Sequence, residues 1–169
     1  YEAGYTHIMK KGGTVTANMF FRDKSNMINW YSIVDSTGIN LTTFRNLNEG
    51  EDAGLELNYR GKLGNKGGFV SFGGNYFYSQ VRGQVDGRDL ENSGFGFALN
   101  GMISTPLWKN ASVQLMGNYR SKRVGAQGIG RPFYFVGGGF KQGFLDDRLN
   151  FSVNCRDIFN TMGWNYESA

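Results

Sequence analysis

The stretch LNFSVNCRDIFN, Leu149 to Asn160, sorts its side chains with a period of two. Leu149, Phe151, Val153 and Cys155 fall on one side, while Asn150, Ser152, Asn154 and Arg156 fall on the other. This is the period of a β-strand held between an apolar and a polar environment. A strand of this kind needs partners. The same alternation recurs along the whole chain, so the fold has to be an all-β object with one apolar and one polar face throughout.

Taken in order, Tyr1, Ala3, Tyr5, His7 and Met9 oppose Glu2, Gly4, Thr6 and Lys10. A tight turn at residues 11–13 leads into Val15, Ala17, Met19 and Phe21 against Thr16, Asn18 and Arg22. The pattern loosens from Lys24 to Asn40, which reads as a long loop flanked by strand extensions and carrying Trp30 and Tyr31. It resumes with Ala53, Leu55, Leu57 and Tyr59 against Asp52, Glu56, Asn58 and Arg60. Residues 64–67 turn the chain into Val70, Phe72, Tyr76 and Tyr78 against Ser71, Asn75 and Ser79, with Phe77 breaking the polar side. A charged loop, Val85 to Leu90, precedes Phe95, Phe97, Leu99 and Ile103. The turn at 106–110 then leads to Val113, Leu115 and Tyr119 against Gln114, Asn118 and Arg120. The glycine-rich VGAQGIGRP reads as a flexible loop, because no Lys-Ser/Thr pair or helix follows to make it a phosphate cradle. Phe133 to Phe144, a turn at 145–148 and the opening stretch complete about eight strands. The tight turns all fall at one end of the sheet and the longer connections at the other.

Composition decides what kind of β protein this is. The chain has 169 residues, with 26 glycines, two prolines and 15% aromatics, which is too much packing surface for a disordered linker. No apolar run is long enough for a membrane helix, but a transmembrane barrel is compatible with a mean hydropathy of −0.42, since half of each strand faces water. The net charge of +4 is scattered rather than gathered in a stripe, which argues against nucleic-acid binding. The single cysteine, Cys155, lies on an apolar face and reads as a small hydrophobe, not as a nucleophile or metal ligand.

A soluble barrel also alternates, so the polar face has to discriminate. It is made mostly of Asn, Ser, Thr and Gly, without the dense Lys and Glu of a solvated surface. That composition suits a wet lumen. Tyr1, Tyr59, Tyr78 and Tyr119, placed on the apolar side at or near strand ends, suit a headgroup layer. Leu55, Leu57, Phe72, Phe97, Leu115 and Val153 are therefore expected to face lipid, and Glu56, Asn58, Arg60, Asn75, Asn118, Arg120 and Arg156 the lumen.

Three segments, NEGEDAGLELNYR (48–60), FFRDKSNMI (20–28) and DRLNFSVNCRDIFNT (147–161), resemble strands of TonB-dependent receptors, especially the Bacteroidetes-type outer-membrane β-barrel family. The resemblance implies location in the bacterial outer membrane and uptake of a scarce solute: a siderophore, vitamin, glycan or peptide. It also implies a parent barrel of about 22 strands. By that reading residues 1–169 form part of the barrel domain. The plug that would engage the TonB complex and the closing strands lie outside it, and a surface lipoprotein is a further possible partner. Both chain ends fall at the long-loop end, which fits a segment better than a self-contained barrel, and the segment alone is expected not to close. The alternative is a small structural or adhesive outer-membrane barrel without transport.

No enzymatic role is expected. His7 is the only histidine and sits among apolar residues, Glu51/Asp52 and Asp146/Asp147 are adjacent and so point to opposite faces, and no cofactor or metal motif occurs. Arg156-Asp157 reads as a wall ion pair or hydrogen-bond network. Trp30 and Tyr31 are the candidate ligand-binding residues, combining rigid rings with neighbouring hydrogen-bonding groups on an external loop.

Overall fold

A computed structural model describes residues 1–10, 12–34, 36–85, 88–125, 128–163 and 166–168. Its strands are β1 (Glu2–Ile8), β2 (Thr14–Val34), β3 (Asn40–Leu63), β4 (Gly68–Val85), β5 (Arg88–Pro106), β6 (Ala111–Arg120), β7 (Arg123–Gly125), β8 (Gly128–Gly130), β9 (Phe133–Phe144), β10 (Leu149–Cys155) and β11 (Tyr166–Ser168). Eight of them form one antiparallel sheet in the order β1-β2-β3-β4-β5-β6-β9-β10, and β11-β8-β7 form a second, small sheet. Among the described residues β1 and β10 each pair on one side only, so the large sheet is an open wall.

Register carries the alternation across the wall, because directly paired residues in antiparallel strands share a face. One row reads Met19, Leu55, Tyr76, Phe97, and the next reads Ala17, Leu57, Gly74, Leu99, Tyr119, Tyr134. Val153 joins the same face through Phe140 and Val113. The opposite face carries Asn18, Glu56, Asn75, Ala98 and Arg120 in one row, and Thr16, Asn58, Gly73, Asn100 and Asn118 in another. The register thus sets Leu55, Leu57 and Phe97 on one face and Glu56, Asn58, Asn75, Asn118 and Arg120 on the other.

The apolar face has nothing packed on it. Among the described residues only Val70 and Ala111 are buried apolar side chains, whereas Leu55, Phe72 and Leu115 are each about half exposed, at 51%, 52% and 50%. A water-soluble domain of this length would bury such residues in a core. Here they form a band instead. From Ala53 to Leu63 the band measures roughly 33 Å along the strand, or about 25 Å once the strand is tilted by about 40°, which is the height of a barrel's apolar belt. Tyr78 against Phe95, with ring centres 5.1 Å apart, marks its upper edge, and Trp108 against Phe140, 5.9 Å apart, its lower edge.

The connections at the lower end are the expected tight turns, but those from β2 to β3 and from β4 to β5 at the upper end are hairpins and not long loops. At the lower end, Gly64 and Gly67 adopt φ of +66° and +83°, which only glycine takes up without strain, and Leu145–Arg148 closes β9 onto β10. Lys11, in the first of these turns, lies outside the described residues. At the upper end, the strand extensions take up most of Lys24 to Asn40 and no long loop is left: β2 continues to Val34 and pairs with β3 except at Asn26 and Asn48, leaving a turn that includes residues 36–39. Within the expected loop Val85 to Leu90, Val85 likewise pairs with Arg88 in a β4–β5 hairpin, and Asp86 and Gly87 lie outside the described residues. Beyond the belt both faces of a ribbon meet water, so pairing survives where alternation stops. The opening stretch is also shorter as a strand than its period suggested, since β10 ends at Cys155 and Asp157 to Asn160 form a turn.

The polar wall as candidate functional site

The polar face is not uniformly hydrophilic, and glycine is the reason. Gly54 and Gly96 flank Phe77 in one row, and a Cβ at Gly54 would stand 2.7 Å from the Phe20 ring and 2.9 Å from Phe77, while one at Gly96 would meet the far edge of the Phe77 ring at 2.7 Å. The two glycines thus let Phe20 and Phe77 lie against the wall. Phe77 is an intended component of this face, not a defect in its period. Arg22 stacks its guanidinium on Phe20, 4.4 Å from the ring centre, and Arg120 does the same on Phe133 at 4.7 Å.

Amide groups fill the rows below. The side chains of Asn58 and Asn100 meet over Gly73, where a Cβ would lie 2.7 Å and 2.8 Å from their polar atoms. Asn58 Nδ2 donates to Glu56 Oε1 at 2.8 Å, and Asn75 Oδ1 accepts from the Ala98 amide at 3.1 Å. Arg60 shares a row with Ser71, Met102 and Met116. Asn118 lies opposite Asn100 and Phe135.

At the upper rim Lys24 Nζ donates to Asp52, whose other oxygen accepts from the buried Ser79 hydroxyl at 2.6 Å. Over this group folds the connection that the sequence presents as a flexible glycine loop. Ser121 takes the chain out of the large sheet: its Oγ accepts from Phe97 N at 2.8 Å and donates to the Lys122 carbonyl at 3.1 Å. β7 and β8 then pair as a hairpin, and Val124 Cγ2 sits 2.7 Å from where a Cβ on Gly94 would be. Asn92 Nδ2 donates to the Gly125 carbonyl at 3.0 Å. Gly94 pairs with Ser79 and shares its face, so the hairpin lies on the polar side of the wall. Ala126 and Gln127, at its tip, are outside the described residues.

Of the sequence candidates, Glu56, Asn58, Arg60, Asn75, Asn118 and Arg120 stand together on this wall. Arg156 does not belong to a strand. It occupies the bend after β10, with its carbonyl 2.8 Å from a Cβ position on Gly137. Asp157 beside it caps the following turn, accepting from Met162 N at 2.7 Å and Thr161 Oγ1 at 3.2 Å, and not from an arginine partner. Trp30 and Tyr31 lie in the ribbon of β2, paired with Phe44 and Thr43, and not in a loop; their side chains are outside the described residues. Lys24, Asp52 and Ser79 escaped the reading as a group because their meeting depends on register across three strands. Among the described residues no cluster of three or more His, Cys, Asp or Glu side chains could hold a metal ion. Two shallow furrows of about 540 and 670 Å³ lie on the opposite, apolar face, lined by residues such as Leu99, Leu115 and Phe72.

Compared with known proteins, residues 1–169 match the model of the outer membrane protein β-barrel family over their whole length. No curated protein and no solved structure matches the chain.

Proposed function

The chain belongs to the outer membrane protein β-barrel family and resides in the bacterial outer membrane, and from this premise we propose that it forms part of the wall of a TonB-dependent receptor that takes up a scarce solute. The observation that carries the reading is the polar face, continuous across eight strands whose outer members, among the described residues, pair on one side only. Open edges in lipid leave backbone groups unsatisfied at several kcal/mol each, so such a wall calls for further strands and hence a wide lumen. In this reading residues 1–169 are a segment of a barrel of about 22 strands, an upstream plug links it to the TonB complex, and a surface lipoprotein is a candidate partner. A siderophore, vitamin, glycan or peptide would pass along the Asn58–Asn100–Asn118 wall.

One feature favours the second reading, an adhesive barrel without transport. The β2–β3 ribbon stands beyond the belt with Ile28, Val34, Leu41 and Phe44 exposed, a surface suited to protein contact. Uptake separates the two. Deleting the gene from its parent bacterium should abolish growth on one limiting nutrient class, and uptake in the complemented strain should stop when the inner membrane is de-energised. Undiminished uptake in the deletion strain, or uptake indifferent to de-energisation, would overturn the receptor reading.

A further inference from the structure

The charges on the polar face are unbalanced. Among the described side chains of the large sheet, Arg22, Lys24, Arg60, Lys62, Arg120 and Lys141 occupy that face, against Glu2, Asp52 and Glu56. Two of the three carboxylates are already engaged, Asp52 by Lys24 and Ser79, and Glu56 by the Asn58 amide. The cations are also spread in height. Arg22 lies at the rim, Arg120 in the Glu56 row, Arg60 two residues lower along β3 than Asn58, and Lys62 and Lys141 near the turns. The infolded hairpin adds Arg123 beside Asp52 at the mouth.

We infer that this wall selects anionic solutes, those bearing carboxylate, phosphate or sulfate groups, by a succession of cationic stations running from mouth to base. Arg22 and Arg120 are built for the task. A guanidinium held over an aromatic ring is a planar donor of a shape that matches two oxygens of one anion. At the rim Gly54 makes this possible for Arg22, because the Phe20 ring lies where a larger side chain at that position would stand. A wall with an excess of one sign of charge concentrates counter-ions beside it, by about tenfold or more. The inference rests on the uptake reading, since an adhesive barrel has no use for a selective wall.

Its test reads the potential at the wall and not transport, so the two can fail separately. In the full-length receptor with its cysteines, Cys155 among them, replaced by serine, Asn100→Cys places one thiol at an exposed position of the polar face. Its reaction rates with an anionic sulfonatoethyl and a cationic trimethylammonioethyl methanethiosulfonate are each divided by the rate with free mercaptoethanol. The expected result is a preference for the anionic reagent of about tenfold, which collapses towards parity in the Arg22→Gln/Arg60→Gln/Arg120→Gln variant. Should that variant not fold, raising the salt to about 0.5 M should reduce the preference in the parent, by screening. Parity or a cationic preference at low salt overturns the inference. So does a preference indifferent to both salt and arginine removal, and so does a thiol that neither reagent reaches, which would mean that protein and not solute covers the wall.

Discussion

The two halves of β3 are one continuous strand, yet they obey different rules. From Ala53 to Leu63 apolar and polar residues alternate strictly: Leu55, Leu57 and Tyr59 against Glu56, Asn58 and Arg60. From Asn40 to Asp52 the pattern dissolves, with Leu41 and Glu51 on one face and Phe44 and Asp52 on the other. Backbone pairing with β2 runs through both halves, broken at Asn26 and Asn48, while pairing with β4 reaches only as far as Glu49. The difference teaches that alternation records the solvent on each side of the sheet, lipid against water below and water against water above, and says nothing about where the strand ends.

The comparison is most exposed to failure within the belt. Leu115→Arg puts a guanidinium on the lipid side near mid-belt and should cost about 2–4 kcal/mol in equilibrium unfolding of the full-length protein from vesicles, whereas Asn118→Arg on the wet side should cost little. Equal costs would mean that the faces are assigned wrongly. A smaller effect is expected on the polar face itself. Gly54→Ala sets a methyl group 2.6 Å from the Tyr76 carbonyl and against both Phe20 and Phe77, and should cost about 1–3 kcal/mol by overpacking. If Gly54→Ala proves neutral in the same unfolding assay, the flat seating of the two rings is not what the glycine serves. The smallest effect belongs to the ribbon. Val34→Lys, at an exposed position above the belt, should change stability by no more than about 0.5 kcal/mol. A loss comparable to that of Leu115→Arg would show that the upper half is also held in lipid.

Legibility followed the same division. Inside the belt, Phe72, Phe97, Leu115 and Val153 could be assigned to a face from the period alone, and so could Glu56, Asn75 and Asn118, because lipid enforces the pattern residue by residue. Above it, the stretch with Trp30 and Tyr31 looks like loop in the sequence, since a ribbon wetted on both faces has no period to display. Cross-strand pairs hold it instead, such as Ser32 Oγ and Thr42 Oγ1 at 3.0 Å. The hairpin of β7 and β8 was equally silent, because its glycines signal a turn but not where the turn folds.

By itself the sequence determined the all-β class, the two faces of the wall and the tight turns at its lower end. These are consequences of local chemistry, in which each side chain declares the medium it meets. Only the tertiary structure decided which residues meet across strands: Lys24 and Asp52 with Ser79, Arg120 with Phe133, Phe77 between Gly54 and Gly96, and the hairpin lying over Gly94. Those encounters depend on register and on the path of one connection, and both are fixed by hydrogen bonds between segments far apart in the chain, which no local pattern encodes.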